Sequence, residues 1–359
     1  MTRLGRTIGA AAGAAFLATL SSAAWADDDR YAAIVVDVAT HEILHADQAD
    51  EQRYPASLTK MMTLYLVFEA LERGDIALTD RIVASRFASR QPPSRLGVRR
   101  GESLTVDQAI RALAVNSAND VAVMVAERLA GSEARFAARM TARARALGMN
   151  DTRFANASGL PNPNIRTTAG DMATLSLALF NDFPQYWHYF QTPTNTWRSR
   201  TARNHNRLLG SVTGVDGIKT GYTRASGYNL ATSAERDGRR IITVVLGGAT
   251  AASRDAQVAY LVENAYEELE RRRSLQANPD VALTALPTVA VNGYLTPRPE
   301  GGAAVAVTQT FNDPRSEVFV PAPESMGQGD LADAALDAAE ESAAAPSPDF
   351  STTDGADEE

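Results

Sequence analysis

Apolar and polar positions along this chain alternate like strands at two places and recur like helices between them. Residues 31–38 (YAAIVVDV) form a β-branched apolar run, and residues 42–46 follow after a polar turn, which predicts a hairpin at the edge of a sheet. Pro55 then marks a helix start, since it has no N–H and restrains the residue before it. Behind it Met61, Met62, Leu64, Leu66, Val67 and Phe68 predict a buried helix opening at Ser57 and running to about Arg73, with Gly74 as its stop. Residues 78–100, which include Pro92 and Pro93, read as irregular. Ser103 or Thr105 caps a helix over 106–114, residues 116–120 interrupt the helical pattern, and it resumes over 121–129 and 136–147. Residues 156–164 (NASGLPNPN) are turn chemistry throughout, and Thr167 or Thr168 caps a helix over 168–180. After Pro193 the pattern turns to β: strands at 213–223 and 228–234, a hairpin signal at Asp237 and Gly238, and a strand at 240–246. A long helix over 253–273 closes the region. A chain that leaves a sheet, builds helices and returns to the sheet is α+β, not a repeat of βαβ units.

The two ends differ from this middle. Arg3 and Arg6, an apolar stretch over 8–20 and the small-x-small Ala24-Trp25-Ala26 predict a signal peptide over 1–26, cleaved near Ala26. The apolar stretch is too short and too rich in glycine and alanine for a membrane span. Residues 27–275 then form the main domain, 276–323 a small β-rich appendage or linker, and 324–359 an acidic, disordered tail of Ala, Asp, Glu, Ser, Pro and Gly.

Composition removes whole classes of chemistry. The 359 residues contain no cysteine, which excludes disulfides, thiol nucleophiles and cysteine-ligated zinc. Four histidines (His41, His45, His188, His205) show no metal spacing, and His41 and His45 read as solvated. The net charge of -8 is misleading, because residues 330–359 hold ten acidic and no basic residues. The remainder is close to neutral, so nothing favours nucleic acid. No metal or organic cofactor is indicated.

Three short motifs carry the chemistry. Ser57 and Lys60, three apart, are neighbours on one face of a helix start. Ser117-Ala118-Asn119 and Lys219-Thr220-Gly221 follow in that order. Each has a plain alternative: a helix cap, a helix-breaking turn and a solvated strand end. Together they make a histidine-free nucleophile site. A serine hydroxyl needs a base, and a lysine serves when burial and a second ammonium lower its pKa. Lys60 is that base, with Lys219 supplying the second charge. Ser117 can relay a proton between the lysines and a leaving amine, and Asn119 can hold Lys60 or a substrate amide. The Lys219 strand offers an edge to an extended peptide, Gly221 allows its close approach, and the Ser57 N–H suits an oxyanion.

With these motifs the chain resembles the low-molecular-mass penicillin-binding proteins, the serine D-Ala-D-Ala carboxypeptidases, over residues 27–273. Residues 54–63, 204–209 (NHNRLL), 215–223 and 227–230 strengthen the likeness. The resemblance implies a β-lactamase/transpeptidase-like α+β fold, an antiparallel sheet flanked by helices with a mostly helical insertion. It implies acylation of Ser57 by the penultimate D-alanine of a peptidoglycan stem peptide, loss of the terminal D-alanine, and hydrolysis. It also implies β-lactam antibiotics as acylating inhibitors. The backbone N–H groups of Ser57 and Tyr222 would form the oxyanion hole, and Arg254, Lys219, Thr220 and Gly221 would hold substrate. Three departures stand out: Ala118 replaces an aspartate, Tyr222 stands where some members have histidine, and the chain ends in an acidic tail instead of a basic membrane anchor. The tail predicts a periplasmic protein with weak or no membrane association. A D,D-endopeptidase cutting crosslinks would use the same groups. A β-lactamase would need a glutamate five beyond Arg153, where Ser158 stands. A non-catalytic wall-binding module would keep the motifs without the chemistry.

Overall fold

A computed structural model describes residues 29–277 of the chain. The predicted signal peptide, the appendage beyond residue 277 and the acidic tail lie outside the described residues. In chain order the elements are β1 (Ala32–Asp37), β2 (Ile43–Asp47), α1 (Thr59–Glu72), β3 (Arg81–Val83), β4 (Ser103–Thr105), α2 (Val106–Arg111), α3 (Asn119–Ala130), α4 (Glu133–Ala146) and α5 (Ala169–Asp182). They continue with β5 (Thr194–Trp197), β6 (Arg200–Arg203), β7 (Val215–Thr223), β8 (Gly227–Arg236), β9 (Arg239–Gly248) and α6 (Ala251–Ala277).

A five-stranded antiparallel sheet, in the order β2-β1-β9-β8-β7, is the frame. β1 is apolar on both faces because both are covered. Ala32, Ile34 and Val36 join the helices on one side, and Ala33 and Val35 meet Val258, Leu261, Val262 and Leu269 of α6 on the other. Burying each Ile, Val or Leu side chain among these contributes roughly 1.5–3 kcal/mol, so the sheet cannot slip register without exposing one set. The helices α1 to α5 lie between β2 and β7 in sequence, which is the expected helical insertion. The β8–β9 hairpin turns at Asp237 (φ 50°) and Gly238 (φ 75°), the left-handed pair that a two-residue turn requires.

The structure departs from the sequence pattern locally. Residues 78–100 are not wholly irregular, since β3 pairs with β4, Arg81 opposite Thr105. Thr105 does cap α2, with Gln108 closing a capping box, but the helix becomes a π-helical turn over Ala112–Asn116. Ser57 does not lie in the α-helix. It occupies a 3-10 turn, Ala56–Leu58, ahead of α1, and its side chain caps nothing. His45 is not solvated: it sits half-buried on β2, where burial lowers its pKa and leaves Nε2 enclosed without a partner.

Candidate active site

The 3-10 turn holding Ser57 is gripped from two sides by backbone that only glycine permits. A Cβ on Gly159 (φ 78°) would lie 1.8 Å from the Ala56 carbonyl oxygen. One on Gly221 would lie 2.9 Å from the Pro55 oxygen and 3.0 Å from the Ser57 nitrogen. The 156–160 loop and strand β7 therefore close directly on the nucleophile turn. Asn229 of β8 completes the grip: its Nδ2 donates to the Tyr54 and Pro55 carbonyls (2.9 and 3.1 Å), while its Oδ1 accepts from the Gly247 N–H (2.9 Å).

Lys60, one turn on and fully buried, donates from Nζ to Ser57 Oγ (3.2 Å), Asn119 Oδ1 (2.7 Å) and the Ser158 carbonyl (2.5 Å). Three acceptors match the three donors of an ammonium. Once Nζ loses a proton, two N–H groups still satisfy Asn119 and Ser158, and the lone pair faces the Ser57 hydroxyl. Burial, then the Lys219 charge, lowers the Lys60 pKa well below that of an ordinary lysine, and Asp120 and Glu133 pull weakly the other way. Lys219, also buried, donates to the Thr220 carbonyl (2.9 Å), and burial with the Arg254 charge lowers its pKa to about 7. Lys219 thus reaches the neutral form near physiological pH, and Lys60 is shifted in the same direction by its own burial and the Lys219 charge.

Ser117 ends the π-helical turn in the left-handed region (φ 54°), buried, with no protein partner for its Oγ. Asn119 opens α3 two residues on. Its Oδ1 is engaged by Lys60 and its Nδ2 donates to the Pro92 carbonyl (2.9 Å), so of its two expected tasks the structure favours holding Lys60. Thr220 is buried beside Gly221, and Tyr222 stands exposed, packed on Tyr228 with ring centroids 4.2 Å apart. Arg254 at the start of α6 is 3 % exposed, donating from Nε to Asp255 (2.7 Å) and from Nη1 to the Asn229 carbonyl, so much of its fork is already engaged. Among the described residues no cluster of histidine, aspartate or glutamate could hold a metal ion.

Besides Asn229, four residues of the site escaped the sequence reading. Ser158 supplies its carbonyl to Lys60 from 98 positions away. Asn156 shapes the Ser158 loop by accepting from the Ser158 and Gly159 N–H groups (3.2 and 2.7 Å), and Glu133 accepts from the Ala157 N–H (3.1 Å). Asp120 accepts from the N–H groups of Leu96, Gly97 and Val98 (2.9, 2.7 and 3.1 Å), fixing the loop whose Pro92 and Ser94 carbonyls bind Asn119. An acidic residue beside an asparagine at a helix start was the only available signal.

Comparison with known proteins agrees with this geometry. The D-alanyl-D-alanine carboxypeptidase family profile matches residues 20–250. The chain is 33% identical over 255 residues to D-alanyl-D-alanine carboxypeptidase DacF of Bacillus subtilis, covering 70% of this chain and 65% of that protein. It is 36% identical over 257 residues to D-alanyl-D-alanine carboxypeptidase DacC of Escherichia coli, covering 67% and 64%. The matches thus span just under two thirds of these relatives' lengths. Among solved structures, penicillin binding protein 5 of Haemophilus influenzae superposes with a TM-score of 0.63 at 32% identity, over 65% of this chain and 69% of that one. The penicillin-binding protein fold accounts for the sheet, the helical insertion and the cleft between them. Three motifs that meet around one buried lysine, on that fold and under that family profile, mean that this chain belongs to the D-alanyl-D-alanine carboxypeptidase family.

Proposed function

We propose that residues 27–275 act as a serine D-Ala-D-Ala carboxypeptidase, removing the terminal D-alanine of peptidoglycan pentapeptide stems in the periplasm, with penicillin as an acylating inhibitor. One observation carries this reading: Lys60 Nζ, buried and held at 3.2 Å from Ser57 Oγ, has its other two donors fixed by Asn119 and Ser158.

In the proposed cycle Ser57 Oγ attacks the carbonyl carbon of the penultimate D-alanine as Lys60 takes its proton. The backbone N–H groups of Ser57 and Tyr222 stabilise the oxyanion. Collapse breaks the C–N bond, and the proton passes from Lys60 through the Ser117 hydroxyl to the departing amine of the terminal D-alanine. Water, activated by the same amine, then hydrolyses the Ser57 ester. Lys219, Thr220 and Arg254 receive the terminal carboxylate, for which cationic and hydroxyl donors are suited.

The β-lactamase alternative loses ground because at position 158 a serine carbonyl, not a carboxylate, meets Lys60, and Glu133 is engaged by a backbone N–H. Endopeptidase activity on crosslinks uses the same groups. Among the described residues no helix is long and apolar enough to cross a membrane.

Incubation with a pentapeptide ending in D-Ala-D-Ala, with crosslinked dimers and with penicillin separates the readings. Free D-alanine and a slowly hydrolysed penicillin adduct that Ser57→Ala abolishes are expected. Cleavage of crosslinked dimers alone, rapid penicillin turnover, or adduct formation by Ser57→Ala would each overturn the assignment.

A further inference from the structure

The residues 204–209, whose pattern marked the family likeness, take no part in the proposed chemistry, yet they occupy one end of the cleft. On the sheet side, buried Asn206 donates from Nδ2 to the Gly217 carbonyl (2.8 Å), two residues before Lys219. On the helical side, Asn195 of β5 donates to Asn116 Oδ1 (2.6 Å), one residue before Ser117. Asn204 ties the two arms together, donating from its backbone N–H to Pro193 O (2.7 Å) and from Nδ2 to Thr192 O (3.0 Å), and accepting from Asn206 N (2.9 Å). Residues 192–206 thus bridge both walls of the cleft, with His205 exposed along the bridge.

The two ends of the site differ in character. At the Thr223 end lies a cavity of about 220 Å³ lined mainly by apolar groups, among them Tyr54, Ala56, Leu160, Pro161 and Ile165. Toward the bridge lie the two amines, and His205 is held in their field: partial burial, then the Lys219 and Lys60 charges, lowers its pKa to about 4. A peptide with a terminal carboxylate points it at the cations, so its chain runs antiparallel to β7, the outer strand of the sheet, and ends at the bridge. Ser57 stands at the level of Gly221, and the bridge is anchored at Gly217, four residues earlier. That interval is about 13 Å of extended chain. One leaving residue with its carboxylate takes roughly 7 Å, which leaves about 6 Å between that carboxylate and the anchor of the bridge at Gly217.

We infer that the 192–206 bridge, which carries His205, is a stop that admits a peptide ending one residue beyond the scissile bond and rejects one whose main chain continues. The inference rests on Ser57 being the nucleophile of the proposed reaction, and it makes His205 and Asn206 specificity-determining residues, not catalytic ones.

The test compares two peptides, one ending in D-Ala-D-Ala and the same peptide extended by one glycine, with hydrolysis of the D-Ala-D-Ala bond followed by mass spectrometry. The wild-type protein is expected to cleave the free-ended peptide at least about 100-fold faster. Asn206→Ala, which releases the bridge, and His205→Gly, at an exposed position, are each expected to narrow that ratio at least tenfold. Wild-type rates on the two peptides within threefold of each other, or variants that slow both in parallel, would overturn the stop. Failure to cleave either peptide, with no penicillin adduct on the wild-type protein, would instead remove the Ser57 reading on which it stands.

Discussion

Asn119→Asp tests the lysine without disturbing its packing. The substitution is isosteric, keeps an acceptor 2.7 Å from Lys60 Nζ, replaces a neutral amide with a carboxylate, and gives up the Nδ2 bond to the Pro92 carbonyl. A charge pair at that separation is worth about 6 kcal/mol at an effective dielectric of 20. Desolvation of the new carboxylate offsets part of this. If half survives, about 3 kcal/mol raises the Lys60 pKa by roughly 2 units. A raised lysine pKa means fewer neutral amines at a given pH, so the acid limb of the acylation rate moves up by about 2 units and the rate on that limb falls by up to about 100-fold. The assay is stopped-flow acylation by a fluorescent penicillin from pH 5 to 10, with circular dichroism to verify folding. Recovery of most of the rate as the pH is raised, about 2 units above the wild-type limb, is the expected signature. An unchanged pH profile, or a loss that no pH restores in a folded protein, would refute the amine as the base.

Two further predictions concern the scaffold. Gly159→Ala places a Cβ 1.8 Å from the Ala56 oxygen at a φ of 78°, and should destabilise the domain by at least about 3 kcal/mol, seen as a melting temperature lower by roughly 6–12 °C; a loss under 1 kcal/mol would mean that the nucleophile turn and the 156–160 loop are not in contact. Asp171 accepts from Thr152 (2.6 Å) and the Asp151 N–H (3.0 Å), and burial raises its pKa from 3.8 to about 6. A carboxyl whose pKa is higher folded than unfolded binds more protons in the native state, so its contribution is full below pH 4 and declines as pH rises to 6, by up to about 3 kcal/mol. Asp171→Asn should flatten that slope in denaturant melts between pH 4 and 7; an unaltered slope would contradict the assignment.

The contacts of this site were legible wherever a group and its partner lie close in sequence. Ser57 and Lys60 are three apart, and their contact follows from helical spacing alone, although the serine sits in a 3-10 turn and not in α1. Lys219-Thr220-Gly221 was readable because an apolar strand surrounds it and glycine explains itself by close approach to Pro55 and Ser57. Lys60's other partners were not readable. Asn119 is 59 residues away and Ser158 is 98, and a side chain bonded to a distant carbonyl leaves no periodic trace in sequence. Asp120 and Asn229 were missed for the same reason: each satisfies backbone groups of a loop it does not belong to. α4 was visible because it buries one apolar face, α1 because its apolar run is buried nearly all round, and β8 and β9 because a turn dipeptide separates two apolar runs. Strands of three residues, such as β3 and β4, are too short for an alternating pattern to stand out. The π-helical turn hides inside the apolar run of residues 112–115, where composition is indifferent to helix type.

The most direct test of the account is the acylation rate of Lys60→Ala, measured on protein whose circular dichroism matches the wild type. General-base assistance contributes about 10²–10⁴-fold, so the variant should bind penicillin to Ser57 at least about 100-fold more slowly at pH 7. Acylation of the folded variant within a few-fold of the wild-type rate would show that Ser57 is activated without the buried amine, and the account would fail.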